Sequence, residues 1–131
     1  MEDAFGFVKG MSQNSNGRRN VLFVCSRNQW RSPTAEEVFK NHSQINVRSG
    51  GTSRHARRTV NHGDIQWADA ILVMETKHRN QLKAKFPQAT MHRQFHVLGI
   101  PDEYKFMDVE LVETLTTLVP FTLKLDESSG A

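Results

Sequence analysis

Cysteine is almost missing from this chain, with one residue, Cys25, among 131. A single cysteine excludes an intramolecular disulfide, and a free thiol suits a reducing compartment. Apolar runs of membrane-spanning length are absent too. The first residues include the acidic Glu2 and Asp3 and no apolar signal core, so the expected location is cytoplasmic, with no membrane partner. Charge of one sign is scarce: 17 Lys and Arg stand against 14 Asp and Glu, for a formal net charge of +3. That excess is too small to argue for nucleic acid as a partner. Neither repeats nor low-complexity segments occur. The histidines His42, His55, His62, His78, His92 and His96 show no metal-ligand spacing. His92 and His96 are four apart, but in a strand that spacing does not give the adjacent ligands a helix gives. The expected metal set and cofactor are therefore none. At this length the chain suits one domain, large enough for a core and a cleft.

What is present centres on Cys25. It follows the apolar run Val21-Leu22-Phe23-Val24, which reads as a strand covered on both faces of a parallel sheet. Six positions later comes Arg31, and then Ser32-Pro33-Thr34-Ala35-Glu36-Glu37-Val38-Phe39. In that segment Ser32 reads as an N-cap, Pro33 as the first helical residue, and Glu36 and Glu37 as first-turn acids. Residues 25 to 31 then form a loop at a helix N-terminus, where backbone N–H groups and the positive end of the helix dipole make a concave site for a dianion. The same field stabilises Cys25 as a thiolate, the nucleophilic form. Arg31 can hold two phosphoryl oxygens bidentately, and the Ser32 hydroxyl can donate to the sulfur. Asn28 tolerates the left-handed backbone that an anion-wrapping loop often requires. A Cys-to-Arg spacing of six arises by chance at roughly one in twenty cysteines. The strand before it, the Asn within it and the Ser-Pro helix start after it are separate requirements. Together they outweigh the bland alternative of an inert buried cysteine ending a strand.

The segment Val24-Cys25-Ser26-Arg27-Asn28-Gln29-Trp30-Arg31-Ser32-Pro33-Thr34-Ala35-Glu36 resembles the phosphate-binding loop of low-molecular-weight protein tyrosine phosphatases. Ser49-Gly50-Gly51-Thr52 resembles that family's Ser-Ala-Gly-Thr after the second strand. Asp69-Ala70-Ile71-Leu72-Val73-Met74-Glu75 resembles its third strand, and Asn80 and Leu82 resemble the helix that follows. The likeness spans about residues 20 to 119. It implies a two-step reaction through a phosphocysteine, with an aspartic acid from a late loop as proton donor. It also implies phosphate binding by Ser26, Arg27, Asn28, Gln29, Trp30, Arg31 and Ser32, with inorganic phosphate as product and inhibitor. The substrate implied is a phosphorylated protein or a small aryl phosphate. Arg27 stands where the family usually has Gly, Trp30 where many members have a second Cys, and the stretch between Thr52 and Asp69 is shorter than usual. Arsenate reductases with this loop need further cysteines, which this chain lacks.

Expelling an alkoxide or phenoxide from phosphorus is easier when that oxygen is protonated as it leaves. Ile100-Pro101-Asp102-Glu103-Tyr104 resembles the family's Asp-Pro-Tyr loop, with Glu103 in place of proline. Asp102 is the expected acid, and Tyr104 is expected to stack beside a substrate ring, with Thr52 also at the pocket. The rival, Asp108, precedes the amphipathic run Val109, Leu111, Val112, Leu115, Leu118, Val119. There an Asp is most simply an N-cap.

Strands at 20–25, 45–49, 70–74 and 93–98 alternate with helices at 33–42, 76–86 and 108–119, with a basic loop and one helical turn between the second and third strands. This predicts an α/β fold, a three-layer α/β/α sandwich on a four-stranded parallel sheet, like a low-molecular-weight phosphotyrosine phosphatase. Residues 1–19 read as a loose arm, 20–119 as the domain, and 120–131 as a tail that begins where Pro120 breaks the last helix. In that tail Phe121, Leu123 and Leu125 are expected to pack back on the body. Arg48, Arg54, Arg57 and Arg58, with His55, read as a basic stretch able to attract an acidic phosphoprotein or a nucleic acid, or as a solvated loop. Trp67 is expected in the core and Trp30 at the pocket rim. The main functional expectation is a metal-independent phosphomonoester hydrolase. The alternative is a non-catalytic module that binds phosphate, phosphoprotein or RNA through the same loop.

Overall fold

A computed structural model describes residues 17–125 of the chain. Its first strand, β1 (Arg19–Cys25), is buried from Asn20 onward. Because strand side chains alternate, Val21, Phe23 and Cys25 enter one apolar cluster while Leu22 and Val24 enter another. β2 (Ile45–Gly51) and β3 (Ala70–Val73) flank β1, and β4 (Gln94–Val97) lies beyond β3. All pairs are parallel, in the order β2-β1-β3-β4. The register runs from Val21 opposite Ala70 to Val24 opposite Val73, so Ala70 and Leu72 join the first cluster and Ile71 and Val73 the second.

Helices cover both faces. α1 (Arg31–Phe39) and α4 (Val109–Leu123) bury Phe39, Leu111, Leu115, Val119 and Leu123 in the first cluster. α2 (His62–Trp67) and α3 (Thr76–Lys85) bury Ile65 and Leu82 in the second. Each such side chain contributes about 1.5–3 kcal/mol by leaving water, and truncating the fully buried Phe23 to Ala would cost about 3–5 kcal/mol. From β1 the chain crosses to β2 on one side, and from β2 it returns past β1 to β3 on the other. The carboxyl end of β1 is therefore a topological switch point, where open α/β sheets bind ligands.

Several boundaries differ from the sequence reading. α1 begins at Arg31, its N-cap is Trp30, and no side chain caps it. The Ser32 hydroxyl is engaged beneath the loop instead, and Pro33 sits in the first turn, where its missing N–H has no intrahelical acceptor to lose. Glu36 and Glu37 fall beyond that turn. The expected single turn in the basic loop is a capped helix, α2. Asn61 accepts from the Asp64 N–H at 2.9 Å, and Asp64 accepts from the Asn61 N–H at 3.0 Å. Pro120 does not end the last helix: α4 continues to Leu123, so the folded unit extends past 119. The buried positions Leu111, Leu115, Val119 and Leu123 recur every fourth residue, and burying Leu123 outweighs the hydrogen bond lost at proline. Lys124 then turns left-handed at φ 58°. Leu123 is core and Leu125 packs against it, but Phe121 is 82% exposed and does not pack back. The expected arm lies outside the described residues except near Arg19, which opens β1, and 126–131 of the expected tail lie outside them as well. Trp67 is half-buried, with the Arg48 guanidinium 4.2 Å from its ring centre. No helix among the described residues is long and apolar enough to cross a membrane.

Candidate active site

Cys25 ends β1, and the loop after it is held from behind by the segment that follows β2. The Cys25, Ser26 and Arg27 carbonyls accept from the N–H groups of Thr52, Ser53 and Arg57, each at 3.0 Å. The Asn28 carbonyl accepts from Arg57 Nε, also at 3.0 Å. In a trans peptide the N–H points opposite to the C=O. Successive carbonyls turned outward therefore aim the N–H groups of Ser26 through Gln29 inward, which is the arrangement an anion requires. Gly51 makes this contact possible. A Cβ there would lie 2.5 Å from the Ser26 carbonyl oxygen and 2.6 Å from Ala56 Cβ.

Beneath the loop, Asn28 is fully buried at φ 54°, the left-handed conformation expected of it. Its Nδ2 donates to Ser32 Oγ at 2.9 Å and to Ser49 Oγ at 3.0 Å, and Ser49 in turn donates to Glu36. Cys25 Sγ lies 3.0 Å from Ser32 Oγ. Because Ser32 Oγ already accepts from Asn28, its own hydrogen is available to the sulfur; the competing acceptor, the Gly50 carbonyl, is farther at 3.4 Å. A thiolate at Cys25 therefore has a donor waiting.

Arg31 is buried and clamped. Its NH1 donates to Glu75 Oε1 and to the Ile100 carbonyl, both at 2.8 Å, and its Nε lies 3.8 Å from Asp102 Oδ1. The Arg31 hydrogen bond holds the Glu75 carboxyl below its usual range. Ile100 is itself buried, with its N–H on the Met74 carbonyl at 2.9 Å, so the loop bearing Asp102 is stitched to the end of β3 and to Arg31. His78, on α3, is buried as well. Burial first, and the Arg31 charge second, push its pKa down to about 4. Its Nδ1 accepts the Glu75 N–H at 3.0 Å, and its Nε2 lies 2.9 Å from Ser26 Oγ.

These walls enclose a cavity of about 30 Å³ lined by Cys25, Ser26, Arg27, Gln29, Trp30, Arg31 and Asp102. That is roughly two to three times the space one ordered water needs. Of the residues expected at the site, Asn28 and Ser32 lie under the loop as scaffold, and Thr52 lies behind it, donating to Cys25. Tyr104 is not at the cavity: it is half-buried against the first core cluster, and the aromatic at the rim is Trp30. Asp108 caps α4, accepting from Glu110 and Leu111. Among the basic residues, Arg48 and Arg58 converge on buried Asp64 at 3.2 and 2.6 Å, Arg57 supports the loop, and Arg54 meets His55. Most of that stretch is therefore engaged in holding the fold, although Arg54, His55, Arg57 and Arg58 remain exposed. Glu75 and His78 were missed as site residues. The available signal was their place directly after β3, at the same sheet end as Cys25.

Compared with known proteins, residues 20–66 match the family model of low molecular weight phosphotyrosine protein phosphatase. That segment holds β1, the anion loop, α1, β2 and most of α2. The likeness to this family covers 47 of the 131 residues, from 20 to 66. The fold agrees over a longer stretch. A low molecular weight protein tyrosine phosphatase from Streptococcus pyogenes is 20% identical with a TM-score of 0.65, covering 82% of this chain and 93% of that one. The YwlE arginine phosphatase from Geobacillus stearothermophilus is 22% identical with a TM-score of 0.61, covering 82% and 92%. A YwlE mutant from Bacillus subtilis is 21% identical with a TM-score of 0.60, covering 81% and 99%. No curated protein sequence matches. The family match ends before Asp102, so the acid loop rests on the fold and its own geometry.

Proposed function

We propose that this chain is a member of the low molecular weight phosphotyrosine phosphatase family and a cysteine-dependent phosphomonoester hydrolase acting on phosphotyrosine in proteins. The observation that carries the reading is one small cavity lined by a thiol, a clamped guanidinium and a carboxyl group. In the first step Cys25 Sγ attacks phosphorus, the ester P–O bond breaks, and Asp102 gives its proton to the departing oxygen. In the second, the Asp102 carboxylate takes a proton from water, whose oxygen attacks the phosphocysteine. The P–S bond breaks, inorganic phosphate leaves, and the thiolate returns to the Ser32 hydroxyl. Arg31 and the inward N–H groups bind the equatorial oxygens throughout and lower the barrier where negative charge spreads over them.

The Trp30 ring at the cavity rim favours an aryl ester, because a flat aromatic leaving group can stack on it. A module that only binds phosphate has no use for a thiol supported by Ser32 or for a carboxyl group facing it across the cavity. A free nucleophilic thiol fits the reducing cytoplasm.

The test is hydrolysis of p-nitrophenyl phosphate in the presence of a chelator, with phosphotyrosine and phosphoarginine peptides as competing substrates. Turnover that is lost in Cys25→Ser, with the phosphotyrosine peptide preferred, supports the reading. An inactive wild type or a fully active Cys25→Ser variant ends it, and preference for phosphoarginine reassigns the substrate.

A further inference from the structure

The cavity wall beside Cys25 carries a hydroxyl, that of Ser26, whose hydrogen is left unengaged. A backbone N–H can only donate, so the Glu75 N–H at 3.0 Å from His78 Nδ1 requires that nitrogen to be an unprotonated acceptor. The single proton of the neutral ring then sits on Nε2, which faces Ser26 Oγ at 2.9 Å. Ser26 is thereby the acceptor in that bond. Its own hydrogen remains, and the hydroxyl makes no second hydrogen bond among the described residues. Ser26 lines the cavity with Cys25 and Arg31.

We propose that Ser26 Oγ–H is a binding group for a phosphoryl oxygen, and that His78 is the positioning residue that fixes its direction. The inference rests on reading the Cys25 cavity as a phosphoryl site, and it adds a side-chain donor to the backbone donors of the loop. A freely rotating hydroxyl would present either a lone pair or its hydrogen to the cavity. One held by Nε2–H presents its hydrogen, which suits an oxyanion and needs no reorientation when the anion arrives. The geometry also explains why a histidine buried at 0% exposure follows the β3 strand end: both ring nitrogens are used, one on the α3 cap and one on the loop.

The experiment is calorimetric titration with inorganic phosphate and with tungstate, each alone as probe, on the full chain. Ser26→Ala is expected to lose about 10-fold in affinity for both, the loss typical of a hydrogen bond to a charged group, while Ser26→Thr keeps most of it. His78→Phe should weaken binding in the wild-type background and add almost nothing in the Ser26→Ala background, because the two act as one unit. If His78→Phe does not fold, His78→Gln takes its place in the cycle. Unchanged affinity in Ser26→Ala overturns the proposal, and losses that simply add overturn the role given to His78. Aryl phosphate turnover is measured alongside. Turnover with no Ser26 effect on binding breaks this inference alone, whereas a Ser26 effect without turnover breaks the catalytic reading and leaves this one standing. A wild type that binds neither probe breaks both.

Discussion

On one wall of the cavity Cys25 and Arg31 are buried and the loop between them is held by hydrogen bonds, with Asn28, Ser32 and Ser49 locked beneath. On the other wall the Asp102 side chain is 59% exposed and meets Arg31 only at 3.8 Å. The nucleophile wall is continuous with the core, because β1 runs straight into it and α1 starts within it. The acid wall is a loop fastened through Ile100. A preorganised nucleophile needs a rigid wall, since its donors must already point at the anion. A proton donor that has to follow leaving groups of different shape works from a looser one.

Four predictions and one control variant probe this asymmetry, from the largest expected effect on the site at neutral pH to the smallest. Arg31→Lys keeps the charge but loses the fork that reaches Glu75 and the Ile100 carbonyl, so both walls suffer at once. It should lower kcat/KM for an aryl phosphate by roughly 10³-fold; a loss below 10-fold would show that the clamp is unnecessary. Asp102→Asn should lower kcat by about 10²-fold with an alkyl or phenyl ester and far less with p-nitrophenyl phosphate, whose leaving group needs little protonation. In the same assay Asp108→Asn should leave turnover unchanged and cost about 1 kcal/mol in chemical denaturation, as the loss of a cap does. If the two variants exchanged behaviour, the acid would be Asp108.

Gly51→Ala probes the rigid wall from behind. The new methyl group would meet the Ser26 carbonyl and Ala56, so the loop must shift, at an expected cost of about 1–3 kcal/mol and with weaker phosphate binding. Wild-type stability and phosphate affinity in this variant would mean that the loop is softer than its hydrogen bonds imply. The effect least felt at neutral pH is on acid stability. His78 has a folded pKa of about 4 against an ordinary 6.5, so between those values the unfolded chain takes up a proton that the folded chain refuses. Stability therefore falls as pH drops from 6.5 towards 4, by at most about 3 kcal/mol once both limits are passed. Glu75, held low by Arg31, loses its contribution only below its ordinary 4.5, in the same direction. His78→Gln should flatten the slope between pH 6.5 and 4.5, measured by denaturant midpoints, and an unchanged slope would remove His78 as its source.

The rigid wall was largely legible in the sequence, and the reason is local. An apolar run into Cys25, an Asn able to turn left-handed and an Arg at a helix start all lie within one short segment, so neighbouring residues determine each feature. The loose wall was half legible. Asp102 was expected there and lines the cavity, but Tyr104 lies half-buried against the core and Trp30 takes the rim, a choice made by packing rather than by motif. Where long-range contacts decide, local rules failed. Ser32 looked like a helix cap because its hydroxyl could serve there, but the loop uses that hydroxyl for Cys25 and Asn28. Pro120 looked like a stop because its own backbone disfavours the helix, but Leu123 is buried one turn further on. Glu75 and His78 pair with residues 44 and 52 positions away, a distance at which no periodicity or cap signal speaks.

The most direct test of the central claim is to quench the protein in acid during turnover of an aryl phosphate and map its peptides by mass spectrometry. The expected result is one phosphoryl group on the peptide that carries Cys25, absent when Cys25 is replaced by Ala. Turnover at the same rate with no phosphoryl group on that peptide, or with the group on a different residue, would contradict it.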